Sequence, residues 1–511
     1  MNVSEKKIIT KALTAALALL TVTSVLASCG GTEPSGTTAG SEAVNASADT
    51  QEAVTTNPRE AIREDVPADL DFAGYEFKIQ TRDADHHTKE LIAEAENGET
   101  INDAVYRRNS AVEERLNVKI SAVLESESPE TIPIEAVRKA VMAGAGDYCD
   151  LALLHTIYGA NLAAEGLFAN WYDLKFVDFS KPWWNKSVAD ELTIGDKLYL
   201  AIGDMCLSAI DYAWSMVYNK EIAANNDLPD IYAMVDEGKW TLEQFRSVIT
   251  DAAADLNGDG TFDDQDMYGF VTHDNSAICN WMFALDQKVT KKNADNLPEL
   301  ALNTDRMASI VEKVYDLLYN GNQTYVVTDT YTSSKNISHD LAVANMFSQG
   351  QTLFAALRIY VIDELRSMEA NFGIIPFPKY DEAQAGYYTH VDGHAPLICI
   401  PKTNTEYDRT GAVLECLCAE SYRTCIPAVY DIVLSEKYSR DEMSVHMLDL
   451  ILEGRTQNFG YVYEGSTGMQ FSLTNLMKQK KSDFASYYKS HEKGAIKSYT
   501  KIIEQHQSID D

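Results

Sequence analysis

The sequence predicts an α/β protein of two lobes joined by strands that cross between them. Strands alternate with helices in the first half of the globular chain, two later hydrophobic strands could pass from lobe to lobe, and the last hundred residues have a helical pattern. Alternating strands and helices indicate a parallel sheet, and ligands collect at the carboxyl ends of its strands. Repeated passage between lobes is typical of hinge-bending proteins.

Hydrophobic periodicity predicts the individual elements of the first half. It predicts helices across "NDAVYRRNSAVEERLN" and "IPIEAVRKAVMAG". It predicts strands at "YEFKIQT", "VKISAVL", "DLALLH", "KLYLAIGD" and "YAWSMVYNK", the last of which could cross to the other lobe.

The second half is mostly helical by the same criterion. Helices are predicted at "TLEQFRSVITDAAAD", "SAICNWMFAL", "DRMASIVEKVYDLLYN" and from Asp363 to Met368, and strands at "MYGFVTH", "TLFAAL", "FGIIPFP" and "APLICIP". The last strand could cross back between lobes. We expect residues 70–210 to form the first lobe, 211–345 the second lobe, 346–400 the returning segments and a hinge strand, and 401–511 helices that complete both lobes.

The N-terminus carries an export signal. A short basic region precedes an apolar run from Ala12 to Leu26, and the run ends in "LASC", which predicts a secretory signal over residues 1–28. A transmembrane anchor is the alternative, but the run is short for a membrane span and contains Ser and Thr. "LASC" resembles the lipobox of bacterial lipoproteins, which implies that Cys29 is lipidated and becomes the mature N-terminus.

Residues 29–62 are predicted to form a flexible tether. From Gly30 to Pro58 the chain is rich in Gly, Ser, Thr, Ala and acids and holds no aromatic residue. Such a segment cannot bury enough apolar surface to offset its ordering entropy. A lipid anchor and a tether together predict an extracytoplasmic globular part that is held at the cell membrane.

Charge and cysteine content narrow the function classes. The formal net charge of −34 repels nucleic acid and suits a soluble protein outside the cell, so no nucleic-acid partner is expected.

Seven cysteines remain after Cys29, an odd number, and most lie in apolar stretches. Buried free thiols are therefore expected rather than a disulfide framework. A metal site at Cys416, Cys418 and Cys425 is disfavoured because it lacks a Cys-x-x-Cys spacing and a nearby histidine.

Four stretches carry a resemblance to a known family. They are "VYNKEI" (217–222), "GKWTLEQF" (238–245), "MFSQGQTLF" (346–354) and "GIIPFPKYDEAQAGYYT" (373–389). Their order and spacing resemble the first family of extracellular solute-binding proteins, lipid-anchored components of bacterial ABC importers that mostly serve sugars. The resemblance implies a periplasmic-binding-protein-like fold and capture of a solute between two lobes for delivery to a membrane permease, with no chemistry on the ligand. We expect a monomer that binds a carbohydrate, an oligosaccharide, although peptide and polyol binders share this architecture.

A loop at residues 255–266, "DLNGDGTFDDQD", has the pattern of a calcium-binding loop. Gly260 occupies the turn position, and one departure is Asp266 where glutamate is usual. A solvated acidic turn is the alternative, and a dockerin is disfavoured because dockerins have two such loops near a chain end. We expect a structural Ca²⁺ held by Asp255, Asn257, Asp259, the Thr261 carbonyl, Asp263 and Asp266.

Aromatic and polar residues where strands end are candidates for sugar binding. Sugars stack their C–H faces on Trp and Tyr and take hydrogen bonds from polar side chains. One tryptophan of the "KPWWNKS" pair is expected to face the cleft, whereas Trp281 fits either a core or a cleft position. The candidates are Arg82, Asp83, Trp183, Trp184, Asp211, Tyr212, Trp214, Trp281 and Arg358.

The segment "YYTHVDGHAP" (387–396) adds Tyr388, His390 and Asp392 to the candidates. His390, Asp392 and His394 alternate, so in an extended segment they would share one face. A metal site here would need a further ligand that the sequence does not indicate. Because the family's cleft-facing loop falls at this segment, the resemblance implies that it lines the cleft.

An extracellular glycoside hydrolase or another surface carbohydrate-active lipoprotein is the alternative function. A hydrolase needs two carboxylates flanking a sugar cleft, and the 77 acidic residues allow many such pairs. No nucleophile elbow, His-Glu-x-x-His helix or phosphate-binding glycine loop is found in the sequence. The sequence therefore favours a binding protein that is not an enzyme.

Overall fold

The computed structural model describes residues 58–250, 252–434, 442–463 and 467–509. Most predicted strands are confirmed, because each is a short apolar run bounded by polar turns. In chain order the strands are β1 (Tyr75–Asp83), β2 (Val118–Ser126), β3 (Leu151–His155), β4 (Trp214–Asn219), β5 (Tyr268–His273), β6 (Thr290–Lys292), β7 (Pro298–Leu300), β8 (Thr324–Val327), β9 (Thr352–Arg358), β10 (Phe372–Ile375), β11 (Thr389–His390), β12 (Pro396–Cys399) and β13 (Arg455–Thr456).

Helices surround these strands, and many begin at a Ser, Thr, Asp or Asn that caps the first turn, as capping preferences predict. They are α1 (Asp85–Thr88), α2 (Thr100–Leu116), α3 (Ile132–Met142), α4 (Thr156–Ala164), α5 (Lys186–Leu192), α6 (Ser208–Asp211), α7 (Lys220–Asn225), α8 (Ile231–Asp236), α9 (Leu242–Thr250), α10 (Ser276–Ala284), α11 (Asp305–Tyr319), α12 (Asp329–Lys335), α13 (His339–Ser348), α14 (Tyr407–Glu420), α15 (Ile426–Val433), α16 (Glu442–Glu453), α17 (Phe459–Val462), α18 (Ser472–Lys478) and α19 (Phe484–Gln507).

The first lobe is built on a four-stranded sheet of order β12-β3-β1-β2. β1 runs parallel to β2 and β3, and β12 runs antiparallel to β3. Every residue of β3 is buried, which explains its unbroken apolar run, since a central strand has both faces covered. The parallel strands thus end at one edge of the sheet, after Asp83 and His155.

The second lobe is built on a five-stranded sheet of order β10-β4-β9-β5-β8. β5 runs parallel to β8 and β9, while β4 runs antiparallel to β9 and β10. All residues of β4 and β5 are buried. The predicted segment 346–400 is therefore shared between lobes, because β9 and β10 belong to the second sheet and β12 to the first.

Adjacent segments connect the two lobes. Ala213 pairs with Val391 in an isolated antiparallel bridge, and the Asp392 amide donates to the Tyr212 carbonyl at 3.1 Å. β11 pairs with β13 next to them. The chain thus passes between the lobes at about residues 212–214, 389–392 and 455–457. The first of these crossings lies at the start of the predicted strand "YAWSMVYNK", but the expectation that "APLICIP" crosses back is wrong, because β12 lies within the first sheet.

Three expectations about elements need correction. "KLYLAIGD" is not a regular strand: Ala201 makes only an isolated bridge to Ile398. The helix expected from Asp363 is a 3₁₀-helix over Ile359–Ser367. The tether ends before residue 62, because Pro58–Ala61 forms a 3₁₀-helix and the Arg59 guanidinium lies 4.4 Å from the centre of the Tyr422 ring.

The signal peptide over residues 1–28, the lipidation site Cys29 and most of the tether lie outside the described residues. Within the described ranges no helix is both long and apolar enough to cross a membrane. The seven cysteines from Cys149 to Cys425 are all free and buried, as their apolar sequence contexts predicted.

Candidate functional site

A cluster of charged and aromatic side chains lies where the chain crosses between the lobes. Arg358 ends β9 of the second sheet, and Tyr212 and Asp392 lie in two adjacent crossing segments. Because the ends of β1 and β9 approach these segments, side chains from both lobes meet here. We define the inter-lobe cluster as Arg82, Tyr212, Trp214, Asp340, Arg358, Tyr360, Asp392 and His394.

Arg358 is the ionic centre of the inter-lobe cluster. Its guanidinium forms an ion pair with Asp340 of α13 and lies 3.5 Å from the Asp392 carboxylate. The Arg358 side chain is 12% exposed, and the two carboxylates are 5–6% exposed. Water and salt screen such buried ion pairs only weakly. Arg358 therefore links β9 of the second sheet to the crossing segment that carries Asp392.

Aromatic rings surround the same guanidinium. The Arg358 Cζ lies 5.4, 5.5 and 5.1 Å from the ring centres of Tyr212, Trp214 and Tyr360, within the range of cation–π attraction. The His394 ring stacks on Tyr212 with 5.7 Å between ring centres. The cluster thus combines ring faces with charged hydrogen-bonding groups, the two components of a sugar-binding wall.

The ion pairs control the pKa values of the buried acids. Burial acts to raise the pKa of Asp392, but the charge of Arg358 and the hydrogen bond with His394 hold it well below its ordinary value. Burial also opposes ionisation of Asp340, and the His273 ring, 3.4 Å from the carboxylate, and the Arg358 charge outweigh it and lower its pKa. Both carboxylates are therefore ionised at neutral pH and available as acceptors.

Arg82 adds a second buried cation at the end of β1. It is 1% exposed, and it donates from Nη2 to the His394 carbonyl oxygen. Its Nε and Nη1 atoms have no hydrogen-bond partner among the described residues. Burial lowers the pKa of Arg82, yet a guanidinium stays protonated in proteins. These donors suit an oxygen-rich ligand.

A cavity of about 540 Å³ lies between the lobes beside the inter-lobe cluster. The first lobe contributes His86, Lys89 and Asp211 to its wall, and the second lobe contributes Tyr360 and other residues of the 3₁₀-helix. The Lys89 ammonium lies 2.7 Å from the Asp211 carboxylate. The volume falls within the range of small-molecule sites, and the wall combines apolar with charged side chains.

The structure brings half of the predicted ligand-binding residues together at this place. Asp83, another of them, is exposed at the end of β1, next to Arg82. The residues that lie at the inter-lobe cluster or the adjoining cavity are Arg82, Asp211, Tyr212, Trp214, Arg358 and Asp392.

The tryptophan pair is not in the cleft. Trp183 and Trp184 are 0% and 4% exposed. Their indole N–H groups donate to the two carboxylate oxygens of Glu415, at 3.0 and 2.8 Å. The expectation that one of the pair faces the cleft is wrong, because a buried acid on α14 satisfies both indoles inside the first lobe.

Trp281 is a core residue rather than a ligand-binding one. It is fully buried, and its ring packs edge-on against Phe270 and Phe377 with 6.1 and 5.0 Å between ring centres. The apolar helix α10 carries it into the second lobe. Tyr388, which is partly exposed, follows the turn at Gly386.

His390 does not join Asp392 and His394 in the inter-lobe cluster. It belongs to β11, and its ring stacks on Phe283 with 4.6 Å between ring centres. Burial lowers its pKa to about 4. The expected alternation does not extend to His394, because a turn begins at Asp392, in which the Ala395 amide donates to the Asp392 carbonyl.

Sequence reasoning missed His86, Lys89, Asp340 and Tyr360. Tyr360 stands two residues after Arg358, so the extended end of β9 could have indicated it. Its hydroxyl donates to Asp340 at 2.7 Å. Asp340 has no local signal, since only the packing of α13 on β9 brings it to the arginine.

The acidic loop leads into β5 of the second sheet. The Asp255 carboxylate accepts hydrogen bonds from the Gly258 and Gly260 amides at 2.6 and 2.8 Å. The buried Asp266 accepts from the Leu256 and Asp263 amides, both at 2.9 Å. Within this described loop no three carboxylates lie within 4.8 Å of one another. The oxygen donors suit Ca²⁺, and binding would require exposed side chains such as Asp259 to turn inward.

No protein-family model matches the sequence, and a search of curated proteins finds no match. Solved structures do match. One is a cyclo/maltodextrin-binding protein complexed with maltotetraose, 14% identical, with a TM-score of 0.51 over 85% of this chain and 98% of the other. Another is UspC of M. tuberculosis, which is 12% identical. Its TM-score is 0.54, and the match covers 83% of this chain and 100% of UspC. A third is a sugar transporter from Rhizobium etli in an open conformation, which is 15% identical, with a TM-score of 0.54 and a match that covers 86% of this chain and 100% of the transporter chain.

These similarities define the class of fold. The chain has a two-lobed, periplasmic-binding-protein-like α/β fold, with crossing segments between the lobes and a helical C-terminal part. The inter-lobe cluster lies at the crossing segments, where the two lobes of such a fold meet.

Proposed function

We propose that this protein is the substrate-binding component of an ABC importer and captures a carbohydrate, an oligosaccharide, between its lobes. The observation that carries the proposal is the position of the inter-lobe cluster. Rings and charges from both sheets converge on crossing segments that must bend when the lobes move. A ligand that contacts Tyr212 and Arg358 would hold the lobes together.

The chemistry of the site supports a sugar. Ring faces at Tyr212 and Tyr360 suit C–H surfaces, while Arg82 and Asp392 suit hydroxyl groups. Trp214 is fully buried beside Arg358, so it supports the arginine rather than presenting a ring face to a ligand. Two of the similar structures support the same ligand class, since one is described as complexed with maltotetraose and one as a sugar transporter.

We further propose that a lipid on Cys29 anchors the protein outside the cytoplasmic membrane as a monomer beside its permease. The lipobox, the tether composition and the acidic charge of the chain support this. The captured sugar would pass to the permease without chemical change, so the protein would not be an enzyme.

Calorimetry against a panel of oligosaccharides tests the proposal. We expect saturable binding by at least one sugar, no new product by chromatography, and affinity at least about tenfold weaker in Tyr212→Ala, since a central aromatic contact is worth about 2 kcal/mol. Tyr172→Ala is the matched control, because Tyr172 is 49% exposed and lies outside the cluster. Hydrolysis of a bound sugar would instead establish the glycoside hydrolase alternative.

We propose in addition that the loop at residues 255–266 binds a structural Ca²⁺. The six oxygen donors, the turn at Gly260 (φ +79°) and the connection to β5 support this. Saturating Ca²⁺ is expected to raise the melting temperature by a few degrees, since a ligand at 100 times its Kd adds about 2.7 kcal/mol to stability.

Thermal melts with Ca²⁺ and with chelator measure this effect. Asp259→Ala should abolish the difference between the two conditions. Asp196→Ala, which removes an exposed acid from a different turn, should leave the difference unchanged. Identical wild-type melting temperatures in the two conditions would refute the calcium proposal.

A further inference from the structure

Two groups of histidines and carboxylates in the described residues have ligand atoms within 4.8 Å of one another. They are Glu130 with His155 and His394, and Asp274 with Asp329 and His339. In the second group the Lys478 ammonium lies 3.2 Å from Asp329 and 3.9 Å from Asp274. That ammonium already supplies a positive charge, so the second group does not require a metal ion.

The first group contains no lysine or arginine. Among the described residues, Glu130 forms charge contacts of less than 4.0 Å only with the two histidines. Its Oε1 lies 3.3 Å from His394 Nε2, and its Oε2 lies 3.9 Å from His155 Nε2. Four ligands at about 2.0–2.2 Å around a tetrahedral zinc are separated by roughly 3.3–3.5 Å. All three ligand atoms lie within 4.8 Å of one another, and Glu130 is 35% exposed, so packing does not enclose its carboxylate on every side.

The fold of the first lobe places these three ligands together. His155 ends β3, and its partner in the antiparallel register is Pro396 of β12, so His394 lies just outside the same strand pair. Glu130 comes two residues before α3, at the same edge of the sheet. The ligands therefore stand on regular elements rather than on one mobile loop.

A second layer of contacts holds His394 in a metal-binding orientation. Its Nδ1 lies 2.5 Å from the Asp392 carboxylate, and Asp392 is in turn paired with Arg358. A histidine that gives its other ring proton to a carboxylate presents Nε2 to a metal. The hydrogen bond between His394 and Asp392 couples the positions of these two side chains. His390 is not part of the zinc ligand set.

His155 must change one weak contact to bind a metal through Nε2. Its Nδ1 accepts from the Ile157 amide at 3.3 Å, and metal binding through Nε2 would place the ring proton on Nδ1. The hydrogen bond that would be lost is a single long one, and a coordination bond to the metal would replace it.

We propose that Glu130, His155 and His394 form a binding site for Zn²⁺ on the first-lobe side of the cleft. Two imidazoles and a carboxylate are a zinc ligand set, with the fourth position left to water or to a hydroxyl group of a ligand. The His394 side chain is 46% exposed, so an ion can enter from solvent. His394 also belongs to the inter-lobe cluster, so the zinc site shares one residue with the proposed solute site, whereas Glu130 and His155 belong to the zinc site alone.

Calorimetric titration of the untagged, metal-stripped full-length protein with Zn²⁺ tests the proposal. We expect one ion per chain at this site and affinity at least about tenfold weaker in His394→Ala and in Glu130→Gln. Substitution with Co²⁺ should give the intense visible absorption of four-coordinate cobalt, and the same two variants should lose it.

His339→Ala is the matched control, because His339 belongs to the group that already contains Lys478. It should bind Zn²⁺ as tightly as the wild type. Circular dichroism melts establish that each variant is folded before its affinity is compared. The proposal is overturned if the wild type shows no saturable binding, or if both ligand variants bind Zn²⁺ and give the Co²⁺ spectrum as the wild type does.

Discussion

An Arg358→Met variant is expected to unfold with a free energy about 3–5 kcal/mol lower than that of the wild type. Methionine keeps much of the apolar contact with the surrounding rings but removes the charge. Asp340 and Asp392, which are 5–6% exposed, would then lose the guanidinium that both contact. Breaking a buried ion pair by removal of one partner costs this much because the remaining charge is left unpaired.

Chemical denaturation of the two proteins at pH 7 measures the difference. Arg366→Met is the matched control, because Arg366 pairs with Asp363 on the same 3₁₀-helix but is 52% exposed, and exposed ion pairs contribute about 0–1 kcal/mol. Adding Asp340→Asn to Arg358→Met should recover part of the loss, since it removes one unpaired charge. A loss no larger than that of Arg366→Met would show that Arg358 does not hold the inter-lobe cluster together.

The Arg358→Met substitution should also change the pKa of the carboxylates that Arg358 contacts. Without the guanidinium, the pKa of Asp392 should rise, because the Arg358 charge is the strongest influence that lowers it. Asp392 also holds His394 in place through Nδ1. Solute affinity and Zn²⁺ affinity are therefore both expected to fall in Arg358→Met, and calorimetry on the folded variant separates these effects from instability.

Local pattern was enough to predict most of the fold. β3 and β9 are apolar runs bounded by polar residues, and in both cases the pattern gave the strand to within a few residues. The extended stretch around Ala201 failed, because its neighbours pair with it at isolated points rather than along a ladder. Whether an extended segment becomes a strand depends on its partner, and the partner is not visible in the local sequence.

The site could be predicted only where its residues stand at strand ends. Arg82 and Arg358 close β1 and β9, and Tyr212 precedes β4, so the topology rule for α/β sheets identified them. The tryptophan pair looked similar by composition and flanking residues, yet Glu415, more than two hundred positions later, determines its position. A contact of that sequence separation leaves no local signal.

The second large effect is expected from Glu415, which should make the free energy of unfolding depend on pH. Burial raises the pKa of Glu415 from 4.5 to about 7, although the hydrogen bonds from Trp184 and Trp183 oppose the shift. A carboxyl group whose pKa is higher in the folded state binds its proton more tightly there. Its contribution to stability is complete below pH 4.5 and is lost as the pH rises to about 7, a loss of about 3 kcal/mol.

Glu415→Gln is expected to remove this pH dependence. The melting temperature of the wild type should fall relative to that of the variant between pH 5 and pH 7.5, and the difference should stay constant at higher pH. Because both indoles donate to the Glu415 carboxylate, tryptophan fluorescence of the folded protein should titrate with a midpoint near pH 7, and this transition should vanish in the variant.

Asp204→Asn provides the control for the fluorescence titration. Burial also raises the pKa of Asp204 to about 7, but its contact with the tryptophans is a backbone one, from its amide to the Trp183 carbonyl. The fluorescence transition should therefore persist in Asp204→Asn. If Glu415→Gln keeps the transition and Asp204→Asn loses it, the titrating group is Asp204. Glu415 would then be ionised below neutral pH, held so by its two indole donors.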